Sequence, residues 1–110
     1  MPRFFCIKGM QIGIDDAKQQ LTINGRNLHL GRLEYLTARS LVLQYAEGAT
    51  KQYADRLVTI STLCQVTGAP SGRRLHNLVS EVRNKLQPFE LDIKSVRGDG
   101  YYLQPVGNGS

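Results

Sequence analysis

The chain has 110 residues, 41% of them hydrophobic and 21% charged, with 14 Lys and Arg against 9 Asp and Glu for a formal net charge of +5. That length supports one domain around a single modest core, and that balance excludes disordered and collagen-like chains. No stretch reaches the roughly 18–20 apolar residues of a membrane span, and the apolar run within 1–8 is too short for a signal peptide. A cytoplasmic protein with no membrane partner is therefore expected.

Cys6 and Cys64 lie far apart, and only His29 and His76 could join them. A structural zinc site needs about four such ligands, so two reduced, half-buried thiols are expected, with no metal and no cofactor. A basic balance suits a polyanion, because each Lys or Arg set on a phosphate releases counterions. It becomes informative only with a structural address.

The first thirty residues read as short strands. A β-friendly run over 4–7 ends at Gly9, Gln11–Ile14 follows, and a polar turn over 15–20 leads to Leu21–Ile23. Asn24-Gly25 is a strong hairpin signal because both residues tolerate positive φ, and Leu28-His-Leu30 returns. From Leu33 to about Glu47 the period changes: Tyr35, Ala38, Leu41, Val42 and Tyr45 recur at helical spacing, with Gly48 as a stop. The polar stretch 49–57 reads as a connector. Thr59 can cap a short helix from Ile60 to about Val66, closed by Gly68-Ala-Pro70.

Ser71 can cap the next helix, which Pro88 ends near Leu86. At about 100° per residue, Leu75, Leu78, Val79, Val82 and Leu86 form one apolar stripe. Arg73, Asn77, Ser80 and Asn84 face the other way, with Arg74 and Glu81 on one flank and His76 and Arg83 on the other. Leu91–Val96, the turn Arg97-Gly-Asp-Gly100 and Tyr101–Leu103 then read as a β-hairpin. No helix follows Gly98-Asp-Gly100, so it is no phosphate loop, and a hairpin turn accounts for the tripeptide Arg97-Gly-Asp99 without an adhesion role.

The order of meander, long helix, short helix, two-faced helix and hairpin is that of a helix-turn-helix core carrying a wing. The expected fold is α+β, a winged helix-turn-helix in one domain over 1–104. It has an N-terminal antiparallel sheet (1–30), a three-helix core (31–87) and a wing hairpin (91–104), with a flexible tail over 105–110. A helix apolar on one side and rich in Arg, Asn and Ser on the other can dock on a core and still enter a major groove. There Arg pairs with guanine, Asn with adenine, and Ser with either. Lys94, Ser95 and Arg97 on the hairpin suit phosphates or a neighbouring minor groove. The candidate DNA-binding residues are thus Arg73, Arg74, Asn77, Ser80, Glu81, Arg83, Asn84, Lys94, Ser95 and Arg97, and Tyr101 is assigned to the wing core.

Val82-Arg-Asn-Lys-Leu86 followed by Ile93-Lys-Ser-Val-Arg-Gly-Asp-Gly-Tyr-Tyr-Leu103 closely resembles the OmpR/PhoB-type effector domain of bacterial response regulators. That family has an L-R-x-K-L element and a wing reading I-x-T-V-R-G-x-G-Y-x-L. Upstream, Leu30-Gly-Arg-Leu-Glu-Tyr35 resembles its L-T-x-x-E-F helix start, and Val58-Thr-Ile-Ser-Thr-Leu63 its V-S-R-x-x-L helix. Arg73-Arg-Leu75 stands where the family has R-T-V. The resemblance spans roughly 10–104 and implies double-stranded DNA binding and transcription regulation, with helix 71–86 in the major groove and the 94–100 wing on the backbone or minor groove. It also implies a protein partner, either another regulator or RNA polymerase, which the family usually meets through the loop that is here the short and barely polar 68–72, and self-association on tandem half-sites.

The chain departs from the pattern at several points. Ser80 and Glu81 stand where many members are basic, Gly31 replaces the threonine that would cap the first helix, and Asp99 adds a negative charge at the wing tip. Nothing in the sequence resembles a receiver, so DNA binding without phosphorylation is expected, and Met1 close to a strand is expected to mark a natural start. A winged-helix protein-interaction module with little DNA binding is the alternative, favoured by Glu81 and Asp99. An enzyme is not expected, since no paired acids, nucleophile–base set or metal cluster stands out.

Overall fold

Alternation of apolar and polar residues builds the first layer. The computed structural model describes residues 3–7, 9–47, 57–69 and 71–106. Strands β1 (Arg3–Ile7), β2 (Met10–Asp15), β3 (Gln20–Ile23) and β4 (Arg26–Leu28) form an antiparallel sheet in that order. Ile7, Ile12, Ile14, Leu21 and Ile23 all point from it into the core, with Ile12 opposite Ile23 and Ile14 opposite Leu21. Asn24 and Gly25 both take positive φ, 52° and 83°, the two-residue turn that their sequence predicts. Asn24 also ties that turn to β2: its side-chain Oδ1 accepts from the Gln11 amide at 2.9 Å, and its own amide donates to the Gln11 carbonyl at 2.7 Å.

The fourth strand differs from the sequence expectation of Leu28–Leu30. A two-residue turn forces pairing to resume at once, so Ile23 meets Arg26 and Leu21 meets Leu28. His29 and Leu30 instead lead out of the sheet, and the His29 carbonyl accepts from the Lys85 ammonium at 2.9 Å.

Helix α1 (Arg32–Glu47) buries Tyr35, Thr37, Ala38, Leu41, Val42 and Tyr45, and it touches both sheets and both other helices. Gly31 brings no capping hydroxyl, but the carboxylate of Glu34 reaches back to accept from the Gly31 amide at 2.8 Å. This is the reciprocal half of a capping box, and it satisfies one of the orphan donors at the helix start. The expected stop at Gly48 and residues 49–56 of the connector expected over 49–57 lie outside the described residues.

Strand β5 (Val58–Thr59) has no counterpart in the sequence reading. Two residues are too few to show a period, and the strand exists only because it pairs with the far end of the chain, Val58 opposite Tyr101 and Thr59 opposite Gly100. Gly100 is required there: any Cβ would collide with the Val58 carbonyl. Helix α2 (Ile60–Thr67) follows, with the Thr59 hydroxyl accepting from the Thr62 amide at 3.1 Å and Gly68 closing the helix in the left-handed conformation.

Helix α3 (Gly72–Leu86) is capped by Ser71, whose hydroxyl accepts from the Arg74 amide at 3.3 Å, and it gives way to a 3₁₀ turn over Gln87–Phe89 containing Pro88. Strands β6 (Leu91–Val96) and β7 (Gly100–Pro105) complete a second sheet in the order β5-β7-β6. Residues 105 and 106, expected in a flexible tail, instead belong to the second sheet and its edge. Pro105 is buried and pairs with Leu91, and the Val106 amide donates to the Glu90 carbonyl at 2.8 Å. Proline suits that last position because β7 there needs no further amide donor. Residues 107–110 lie outside the described set. Cys6 is exposed on the outer sheet face, not half-buried as expected, while Cys64 is intermediate, and both are free.

No helix among the described residues is long and apolar enough to cross a membrane. The core closes on α3, where Leu75 and Val82 are 0% exposed and Val79 is 4%. A carboxylate at Val82 would have no partner, and its burial would cost an amount comparable with the whole stability of such a domain, about 5–15 kcal/mol. Val82→Asp should therefore abolish the cooperative thermal transition. A transition near the original temperature, followed by circular dichroism, would contradict the assigned face.

Candidate nucleic-acid interface

Burial of one side of α3 fixes what the other side presents. With Leu75, Val79, Val82 and Leu86 inward, Arg73, Asn77 and Asn84 are exposed and Ser80 is half-buried. These four lie on the crest opposite the core, as the spacing predicts. Arg74 and Glu81 are exposed on one flank. Together with Asn77 they line an open groove with Leu33, Gly68, Ala69 and Leu78. Among the described residues, the side chains of Arg73, Arg74 and Arg97 have no hydrogen-bond or ion-pair partner.

The other two candidate cations are engaged. Arg83 Nε donates to Asp92 Oδ1 of β6 at 2.8 Å, and Lys94 Nζ lies 3.4 Å from Asp92 Oδ2. Arg83 thus bridges α3 to the wing, and with Lys94 it is not the freely solvated charge that its flank position suggests. Burial alone would push the Asp92 carboxyl up, but Arg83, the Ile93 amide and Lys94 hold it below the ordinary carboxylate value.

The hairpin presents Ser95 and Arg97 exposed, and Tyr101 is 9% exposed in the core as assigned. Its turn is held from below. Gly98 takes a φ of 81°, the Asp99 amide donates to the Val96 carbonyl at 2.9 Å, and the Asp99 carbonyl accepts from the Ile60 amide at 3.0 Å. The wing tip is therefore tied to the first turn of α2 and stands in a fixed relation to α3.

Two anchoring networks escaped the sequence reading. Lys85, in the last turn of α3, donates to Glu34 Oε1 at 2.7 Å as well as to the His29 carbonyl, which locks the end of α3 onto the start of α1. The Glu34 carboxyl would rise with burial, but Lys85 and the Gly31 amide outweigh that and lower it. Asp16, in the β2–β3 turn, accepts from Arg39 through both oxygens, at 2.7 and 3.2 Å, and from the Tyr35 hydroxyl. Those bonds lower its carboxyl, whereas burial and Asp16 push the Tyr35 phenol up. Lys85 and Glu34 stand inside the two motif-like stretches, so their presence was visible. Their pairing across 51 positions was not.

No protein-family model and no curated protein matches the sequence. Among solved structures, the chain is similar to the DNA-binding domain of the response regulator AdeR, solved in complex with an intercistronic region. The identity is 24% over 84% of this chain and 92% of that one, with a TM-score of 0.67. It is also similar to the Klebsiella pneumoniae RstA DNA-binding domain, solved in complex with the RstA box, at 21% identity over 94% of this chain and 98% of that one, with a TM-score of 0.63. The chain has their winged-helix fold. In that fold α2 and α3 form the helix-turn-helix, and the β6–β7 hairpin is the wing. Among the described residues no group of three or more His, Cys, Asp or Glu could hold a metal ion.

The lowered carboxyls make stability depend on pH. The unfolded chain titrates them near 3.8 for Asp16 and Asp92 and 4.5 for Glu34. Their contribution is therefore full above about pH 5 and is lost as pH falls through the lower folded values. The thermal midpoint should drop with acidification below about pH 4.5, and less steeply in Glu34→Gln, which removes one of these titrations. Identical pH profiles for the two proteins would show that the Lys85–Glu34 tie contributes nothing.

Proposed function

We propose that the chain is a sequence-specific double-stranded DNA-binding module that acts as a transcription regulator. Helix α3 enters the major groove, and the wing lies on the adjacent backbone or minor groove. The observation that carries this reading is the polar crest of α3, where exposed Arg73, Asn77 and Asn84 and half-buried Ser80 stand opposite a fully buried stripe. Arg and Asn can each make paired hydrogen bonds to the edge of one base, guanine and adenine respectively. Arg97, exposed at a wing tip tied to α2, contributes position and not sequence information. That both neighbouring folds were solved with DNA supports the same reading.

The groove beside Arg74 and Glu81 favours a second reading, a protein-interaction module. Glu81 adds negative charge on a flank that phosphates would otherwise approach. The two readings separate on DNA itself. Salt-dependent binding of bulk duplex DNA follows from the first, and the second expects none.

Base reading and backbone positioning leave different signatures. Asn77→Ala should cost about 1–3 kcal/mol on a duplex selected from a randomised pool and little on random duplex. Arg97→Ala should weaken both and reduce the salt slope by about one. Fluorescence anisotropy at several salt concentrations measures each quantity. Equal losses on both duplexes for Asn77→Ala would remove that residue from the base-reading set.

A further inference from the structure

Among the described residues, Asp92 is the acidic side chain whose ion pairs join α3 to the wing. Its two oxygens take cations from two different elements: Oδ1 accepts from Arg83 Nε of α3 at 2.8 Å, and Oδ2 lies 3.4 Å from Lys94 Nζ of β6. The Ile93 amide also donates to Oδ1 at 2.8 Å, which fixes the carboxylate relative to its own strand. The order of exposure is informative. The Asp92 side chain is 17% exposed, whereas Arg83 is 44% and Lys94 48%. The carboxylate therefore lies beneath, and the two cations stand above it toward solvent.

We propose that Asp92 is a positioning residue for nucleic acid, holding the Arg83 guanidinium and the Lys94 ammonium together as a clasp for a single backbone phosphate at the seam between helix and wing. The proposal rests on the DNA-binding reading. Two cations close enough to share one carboxylate can also share one phosphate, whose oxygens present a similar pair of acceptors. Arg83 binds Asp92 through Nε, and a guanidinium has further N–H donors on its terminal nitrogens. Lys94 likewise has three donors and engages Asp92 from one side. Without the carboxylate the two cations would repel each other. Two long side chains would then have to be ordered only when DNA arrived, at a cost in affinity.

The sign of the effect separates this role from plain electrostatics. Asp92→Asn raises the net charge by one, so a simple charge effect predicts tighter binding to a polyanion. The clasp predicts the opposite. Phosphate contacts carry no sequence information, so the probe is a random-sequence duplex, titrated at several salt concentrations by fluorescence anisotropy. Asp92→Asn should bind it about tenfold more weakly, as two side chains are left to be ordered at binding, and with a salt slope smaller by about one. In a chain already carrying Arg83→Ala and Lys94→Ala, the further change Asp92→Asn should no longer weaken binding. All proteins are compared well below their thermal transitions.

Binding by Asp92→Asn as tight as that of the unsubstituted chain, or tighter, would overturn the proposal while leaving the DNA-binding reading intact. A loss that persists undiminished without Arg83 and Lys94 would also overturn it, by making the role of Asp92 structural. An unsubstituted chain that binds no duplex at low salt would overturn the underlying reading and the clasp with it.

Discussion

Everything on the outer surface of α3 follows from the burial of its inner one. A helix has one rotation about its axis that hides Leu75, Val79, Val82 and Leu86 together, and 3.6 residues per turn then leave Arg73, Asn77, Ser80 and Asn84 no choice but to face away. Close packing makes this rotation costly to alter, because any other setting opens a void or buries an amide or guanidinium without a partner. The hydrophobic core therefore aims the polar crest, and the proposed function draws its geometry from the same contacts that stabilise the fold.

Rotation alone leaves the helix free to tilt, and two cross-ties remove that freedom. At its end, Lys85 binds Glu34 and the His29 carbonyl, and Glu34 in turn caps α1 through the Gly31 amide. On the opposite flank, Arg83 binds Asp92 of the wing. Neither tie is worth much as an isolated exposed ion pair. Their value is directional: each joins α3 to a different element, so helix and wing hold one mutual orientation. The Ile60 amide on the Asp99 carbonyl completes the frame at the wing tip.

Much of this was legible from local sequence. Asn24-Gly25 specified its turn through backbone chemistry alone, Thr59 and Ser71 marked two helix starts, and the apolar spacing over 75–86 gave the buried face of α3. What escaped depended on partners distant in the chain. Strand β5 forms because Val58 meets Tyr101, Pro105 is in a strand because it meets Leu91, and β4 is displaced because the tight turn dictates its register. Asp92 gave no signal, since an acidic residue alternating along a strand reads as a solvated one until the position of Arg83 is known. Gly31 looked like a missing cap, and the compensating group was three residues further on in Glu34.

In the proposed DNA-binding mode the α3 crest and the wing tip share one DNA-facing surface, and the outer face of the N-terminal sheet lies away from it. Backbone amide chemical shifts recorded during titration with random-sequence duplex DNA test it most directly. The largest changes should fall within 72–84 and 94–99, with Phe4, Cys6 and Gln11 on the sheet unperturbed. Changes confined to the sheet, or none at low salt, would contradict it.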